Sequence, residues 1–108
     1  MSNERILTAV WQNTVIAEAP EADTVTVEGN VYFPPAALLP AFVTSSDHTS
    51  VCGWKGTAHY YHVNVEGQRN DNAAWYYPTP KPDAAHIGGF VAFWRGVQVL
   101  PKSQAQKA

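Results

Sequence analysis

Asp23-Thr24-Val25-Thr26-Val27-Glu28-Gly29-Asn30-Val31-Tyr32-Phe33 is the stretch on which the reading of this chain turns. Val25 and Val27 alternate with Thr24, Thr26 and Glu28, the period of two that buries one face of a strand. Gly29-Asn30 then supplies a two-residue turn, and Val31-Tyr32-Phe33 returns as the partner strand. The same pattern recurs on either side. Gln12-Asn13 separates the apolar segments 7–11 and 14–18, and Arg95-Gly96 separates 90–94 from 97–100, each predicting a hairpin. Residues 90–94, Phe-Val-Ala-Phe-Trp, are apolar throughout, as a central strand covered on both faces requires. Helical signals are few. Ala36-Ala37-Leu38-Leu39 lies between Pro34-Pro35 and Pro40, which leaves room for a turn or two. Asp83 is placed to cap a short helix through Ala84, Ala85, His86 and Ile87, ended by Gly88-Gly89. The expected fold class is all-β: a compact antiparallel β domain with one or two short helices. Residues 1–100 form the single domain, and the polar residues 101–108 read as a flexible tail.

The composition narrows the function classes. Of 108 residues, 45% are hydrophobic and only 15% charged, which argues against disorder. A net charge of -2 is too neutral for a protein that binds nucleic acid through its phosphates. The single cysteine, Cys52, excludes an intrachain disulfide and a multi-cysteine zinc site. No apolar run of membrane-spanning length occurs, so no membrane partner is expected. Met1-Ser2-Asn3-Glu4-Arg5 lacks a secretory pattern, so a cytoplasmic location is the default expectation. What stands out is four tryptophans, five tyrosines and four phenylalanines in so short a chain.

Residues 57–65, Thr-Ala-His-Tyr-Tyr-His-Val-Asn-Val, read as a strand on the strength of the adjacent tyrosines and the valines. Alternation places Thr57, His59, Tyr61, Val63 and Val65 on one face and Ala58, Tyr60, His62 and Asn64 on the other. The valines mark the first face as the core side at its far end. His59 and His62 therefore point in opposite directions and make no metal clamp, and no metal or other cofactor is expected. Thr44-Ser45-Ser46-Asp47-His48 lacks the strand–turn–helix setting of a nucleophile elbow. Cys52 lies close to Lys55, where an ammonium lowers a thiol pKa, but a lone cysteine also serves as a small buried hydrophobe. Gly53 and Gly56 flank Trp54-Lys55 and permit a backbone turn there. Lys55 either pairs with an anionic ligand or keeps a solvated charge with its stem on Trp54. Asp71, in Asn70-Asp71-Asn72, is a turn residue or a partner for Lys55 or a ligand. Tyr77-Pro78-Thr79-Pro80-Lys81-Pro82 reads as polyproline II, an internal strap or an exposed ligand for another protein.

Three blocks give this chain its likeness to a family: Val27-Glu28-Gly29-Asn30-Val31-Tyr32-Phe33-Pro34-Pro35; Cys52-Gly53-Trp54-Lys55-Gly56-Thr57-Ala58-His59-Tyr60-Tyr61; and Ala73-Ala74-Trp75-Tyr76-Tyr77-Pro78 with Val91-Ala92-Phe93-Trp94. On these the chain resembles the DUF427 family of small bacterial and fungal domains. The resemblance implies a β-tent-like all-β domain, a fold that elsewhere presents an aromatic cage to small ligands, and a nucleotidyltransferase label travels with it. No Asp-x-Asp pair and no phosphate-cradling Gly-x-x-x-x-Gly-Lys turn supports that label here. The expectation is a small-molecule binding domain with an aromatic-lined pocket. Trp54, Tyr60, Trp75 and Tyr77 wall it, and Lys55 and Asp71 supply polar contacts. An enzyme using Lys55 or Cys52, or less directly Asp71, in the same pocket is the alternative.

Overall fold

A computed structural model of the chain describes residues 5–105, so the reading of the amino terminus lies, apart from Arg5, outside the described residues. Among the described residues nine strands follow in order: β1 Ile6–Trp11, β2 Thr14–Pro20, β3 Val25–Val27, β4 Asn30–Tyr32, β5 Val43–Cys52, β6 Gly56–Val65, β7 Gln68–Tyr76, β8 Val91–Phe93 and β9 Gln98–Pro101. They form three antiparallel sheets, β2-β1-β9, β3-β4 and β5-β6-β7-β8, so the fold is all-β as expected. Among the described residues no helix is long and apolar enough to cross a membrane.

Gln12 and Asn13 both take positive φ, 52° and 58°, and close β1 onto β2 with Trp11 opposite Thr14, as read. The neighbouring hairpin is shifted by one residue from its expected turn. Glu28 and Gly29, with φ of 54° and 81°, form the loop, and Asn30 belongs to β4 opposite Val27. This register keeps Pro34 out of a ladder to which it has no N–H to give. It also leaves Phe33 free to exchange two backbone hydrogen bonds of 2.8 Å with Val91.

The expected carboxyl-terminal hairpin does not form. Arg95-Gly96 does make a tight turn, with the Val97 amide on the Trp94 carbonyl, but β8 pairs with β7 whereas β9 pairs with β1. A turn signal specifies a reversal and not which strand receives the returning chain. β8 is likewise last in its sheet rather than central, yet it is buried on both faces, because Val91 and Phe93 enter one core and Ala92 another, while Phe33 bridges its free edge. The short helices are 3-10 turns at Pro35–Ala37, Pro40–Phe42 and Pro82–Ile87, with a further turn at Glu21–Asp23. Asp83 is not a cap, since Lys81 holds that position through its carbonyl. Pro101 to Ala105, read as part of a flexible tail, close β9 and add a helical turn, and Lys102 reaches Glu18 at 3.0 Å. Residues 106–108 lie outside the described residues.

Strand β6 divides the core in two. Tyr61 faces Ser45 and Ala74, His59 faces Thr49, and Val63 faces Asn70, so β5 bulges opposite Tyr60 and β7 opposite His62. Val63 and Val65 enter an aliphatic core with Leu7, Ile16, Phe33 and Phe93. On the opposite face, Ala58 and Tyr60 enter a second core with Tyr32, Tyr77, Ala84, Ile87 and Ala92. Large rings sit there over alanines, which is how so many aromatic side chains fit a small interior.

Candidate functional site

The turn from β5 to β6 carries Gly53-Trp54-Lys55, with Cys52 paired to Gly56 at its base. The proline strap pins it from outside. The Lys81 amide bonds the Lys55 carbonyl at 2.9 Å and the Lys81 ammonium bonds the Gly53 carbonyl at 2.7 Å. Gly56, at φ 119°, lets strap backbone from Thr79 to Lys81 approach to where a side chain would meet it at 3.5 Å. So residues 78–82 act as an internal strap. Held in this way, Trp54 turns outward, 39% exposed, and Lys55 turns inward, 6% exposed.

A buried ammonium requires a partner. Lys55 Nζ donates to Glu28 Oε1 at 2.5 Å and lies 5.6 Å from the Trp54 ring centre and 5.5 Å from that of Tyr77. Trp54 Nε1 donates to the other oxygen, Glu28 Oε2, at 3.3 Å. Burial alone lowers the pKa of Lys55, but the hydrogen bond to Glu28, with smaller contributions from Tyr32 and Tyr77, overrides it and holds the amine above its ordinary value. Glu28 is held below the ordinary carboxyl range, first by Lys55 and then by Trp54. Burial raises the Tyr77 phenol and Lys55 partly offsets it.

These directions fix a pH window. The Glu28 contribution to stability is complete above the unfolded value of 4.5 and disappears as pH falls through the lower folded value. The Lys55 contribution is complete below its unfolded value of 10.5 and disappears only as pH rises through the higher folded value. Thermal unfolding of the wild type and Glu28→Gln is therefore expected to differ at neutral pH, and the gap to close as pH falls below 4.5. A gap unchanged in acid contradicts the pairing.

A second aromatic group lies on the same face of the four-stranded sheet. Register places Tyr60, Trp75 and Ala92 side by side across β6, β7 and β8. Trp94, two residues beyond Ala92, rests 5.7 Å from Trp75 and 6.5 Å from Tyr60 between ring centres, and is 42% exposed. His48 packs 4.7 Å from Tyr60 on the other side, and Ser50 Oγ and Tyr60 Oη share a 2.8 Å hydrogen bond. Trp75 Nε1 donates to Tyr32 Oη at 3.1 Å, and Trp94 Nε1 to the Asn72 carbonyl at 2.6 Å. These two indole N–H groups are thus already used, and the Arg95 guanidinium lies 4.6 Å from the centre of the Trp94 ring.

The expected site residues divide accordingly. Tyr60 and Tyr77 belong mainly to the core, whereas Trp54 and Trp75 keep accessible surface. Lys55 is placed among the aromatics as read. Asp71 is not: it is 59% exposed and bonds Arg69 Nε at 2.7 Å, with His62 Nδ1 at 3.5 Å. His62 Nδ1 accepts the Asn72 amide at 3.1 Å, so that nitrogen carries no proton to give Asp71. Asp71 lies in the bulge of β7 opposite His62, six residues along the chain from Tyr77, and Glu28 takes the role considered for it. Cys52 is half-buried against the aromatic core. Sequence reasoning missed Glu28, Tyr32, His48 and Trp94 as neighbours of this site. For Trp94 the parity of 90, 92 and 94 was visible, but the register placing Ala92 opposite Trp75 was not.

A family model described as a domain of unknown function (DUF427) matches residues 1–102, and the chain belongs to that family. No curated protein matches the chain.

Proposed function

We propose that this chain is a small-molecule binding domain whose ligand presents a planar ring to the aromatic surface left by Trp94 and Trp75, at the edge of the group around Lys55. The observation that carries this reading is the exposed Trp94 indole, packed against Trp75 and near Tyr60 with its N–H already satisfied. With its N–H engaged, such a ring offers only its apolar and π surface, on which the Arg95 guanidinium rests at 4.6 Å, and exposed aromatic surface on a small domain marks a contact site. Catalysis by Lys55 fits less well. A nucleophilic lysine needs an uncharged amine, and the hydrogen bond to Glu28 favours the ammonium. Nucleotidyl transfer has no supporting observation: among the described residues no three His, Cys, Asp or Glu side chains gather to hold a metal.

Benzamide, planar and uncharged, is a suitable first probe. Trp94→Ala is expected to weaken its binding by about 1 kcal/mol, roughly fivefold in Kd, without lowering cooperativity of unfolding. Trp75→Ala is a poorer test, because Trp75 also supports Tyr32 in the core. Unchanged benzamide affinity in Trp94→Ala counts against the aromatic face.

A further inference from the structure

Glu28 and Lys55 are unequal partners. Lys55 is buried, and its backbone is fixed by the strap through its own carbonyl. Glu28 has a side chain 52% exposed and sits at the tip of a ladder of only three residue pairs. Its two oxygens are each met by one donor, Lys55 Nζ and Trp54 Nε1. We infer that Lys55 Nζ and Trp54 Nε1 form a carboxylate-binding site occupied in this structure by the chain's own Glu28, and that a small carboxylate-bearing ligand takes its place.

Three features point to this. The two donors come from adjacent residues on one pinned turn, so the receptor persists when Glu28 moves away. A buried ammonium stripped of its partner is strongly destabilised, whereas a half-exposed carboxylate regains water on leaving, so the demand for an anion lies on the lysine side. A single cation beside the exposed Trp54 ring suits a singly charged head on an apolar or aromatic body. The hairpin tip then acts as a tethered competitor, which sets the affinity of the free ligand below that of the bare site. The aromatic body of the ligand rests on the binding reading above, but the anion site does not.

Chemical rescue separates the two. Glu28→Ala and Glu28→Gln are expected to melt below the wild type, and sodium acetate to raise the melting temperature of Glu28→Ala well beyond sodium chloride at equal ionic strength. Glu28→Gln, whose amide still fills the site, reports the loss of charge alone and is not rescued. The wild type, Glu28→Ala/Lys55→Met, and acetamide in place of acetate should give no such rise. Two variants are used because Ala also removes side-chain contacts that Gln keeps. Benzoate should act on Glu28→Ala at roughly tenfold lower concentration than on the wild type, as expected once a tethered competitor is removed. The inference is overturned if acetate and chloride act alike, if rescue persists without Lys55, or if inorganic phosphate replaces acetate with equal effect. Acetate rescue with benzoate no better than acetate keeps the anion site and removes the aromatic platform. Benzamide binding at Trp94 without acetate rescue does the reverse.

Discussion

Tyr32→Ala is expected to lower the unfolding free energy by about 3–5 kcal/mol, the range for deleting a fully buried aromatic side chain. Tyr32 is completely buried, meets Trp75 edge to face at 6.2 Å between ring centres, and accepts its indole proton. It also joins the β3–β4 hairpin to the four-stranded sheet, so its loss opens the aromatic core at its centre. Tyr32→Phe keeps the ring and removes only the acceptor, and about 1 kcal/mol is expected. Urea denaturation of both variants measures the difference. A loss for Tyr32→Ala no larger than for Tyr32→Phe means that the hairpin is not part of this core.

The second large effect concerns Lys55. Lys55→Ala leaves a void between Trp54 and Tyr77 and is expected to cost about 2–3 kcal/mol, whereas Lys55→Met fills the same space and restores most of that loss. The difference follows from the asymmetry of the pair. Removing the lysine charge leaves a half-exposed carboxylate that water solvates, and removing the Glu28 charge leaves a buried ammonium with no counter-charge. Glu28→Gln keeps an amide oxygen to accept from Lys55 but leaves the buried ammonium without a counter-charge, so Lys55→Met is expected to be milder than Glu28→Gln, the reverse of an equal partnership. Lys55→Met as damaging as Lys55→Ala assigns the charge a structural role and weakens the case that it is kept for a ligand.

Much of the fold is legible in short-range chemistry. Paired left-handed residues at Gln12-Asn13 make a hairpin where the apolar alternation reverses. The parity of residues 57–65 places the two valines in one core and Tyr60 in the other. What escapes is information held between segments. Arg95-Gly96 turns the chain, but the partners of β8 and β9 are decided by Phe33 and by β1. The site follows the same division. Lys55 beside Trp54 is local and was legible, as was a strap of residues 78–82. Glu28 comes from a hairpin 27 positions earlier, and its turn lies one residue from where Gly-Asn suggested. Asp71 was a candidate partner for Lys55, but it lies in the β7 bulge opposite His62 and pairs with Arg69.

The aromatic face is most directly tested by following indole and amide NMR signals during a benzamide titration. The account predicts that the Nε1–H signals of Trp75 and Trp94 move together and saturate, with the amides from Ile16 to Ala19 in the three-stranded sheet unmoved. Saturating shifts centred on Ile16 to Ala19, or a titration in which neither indole responds, contradict it.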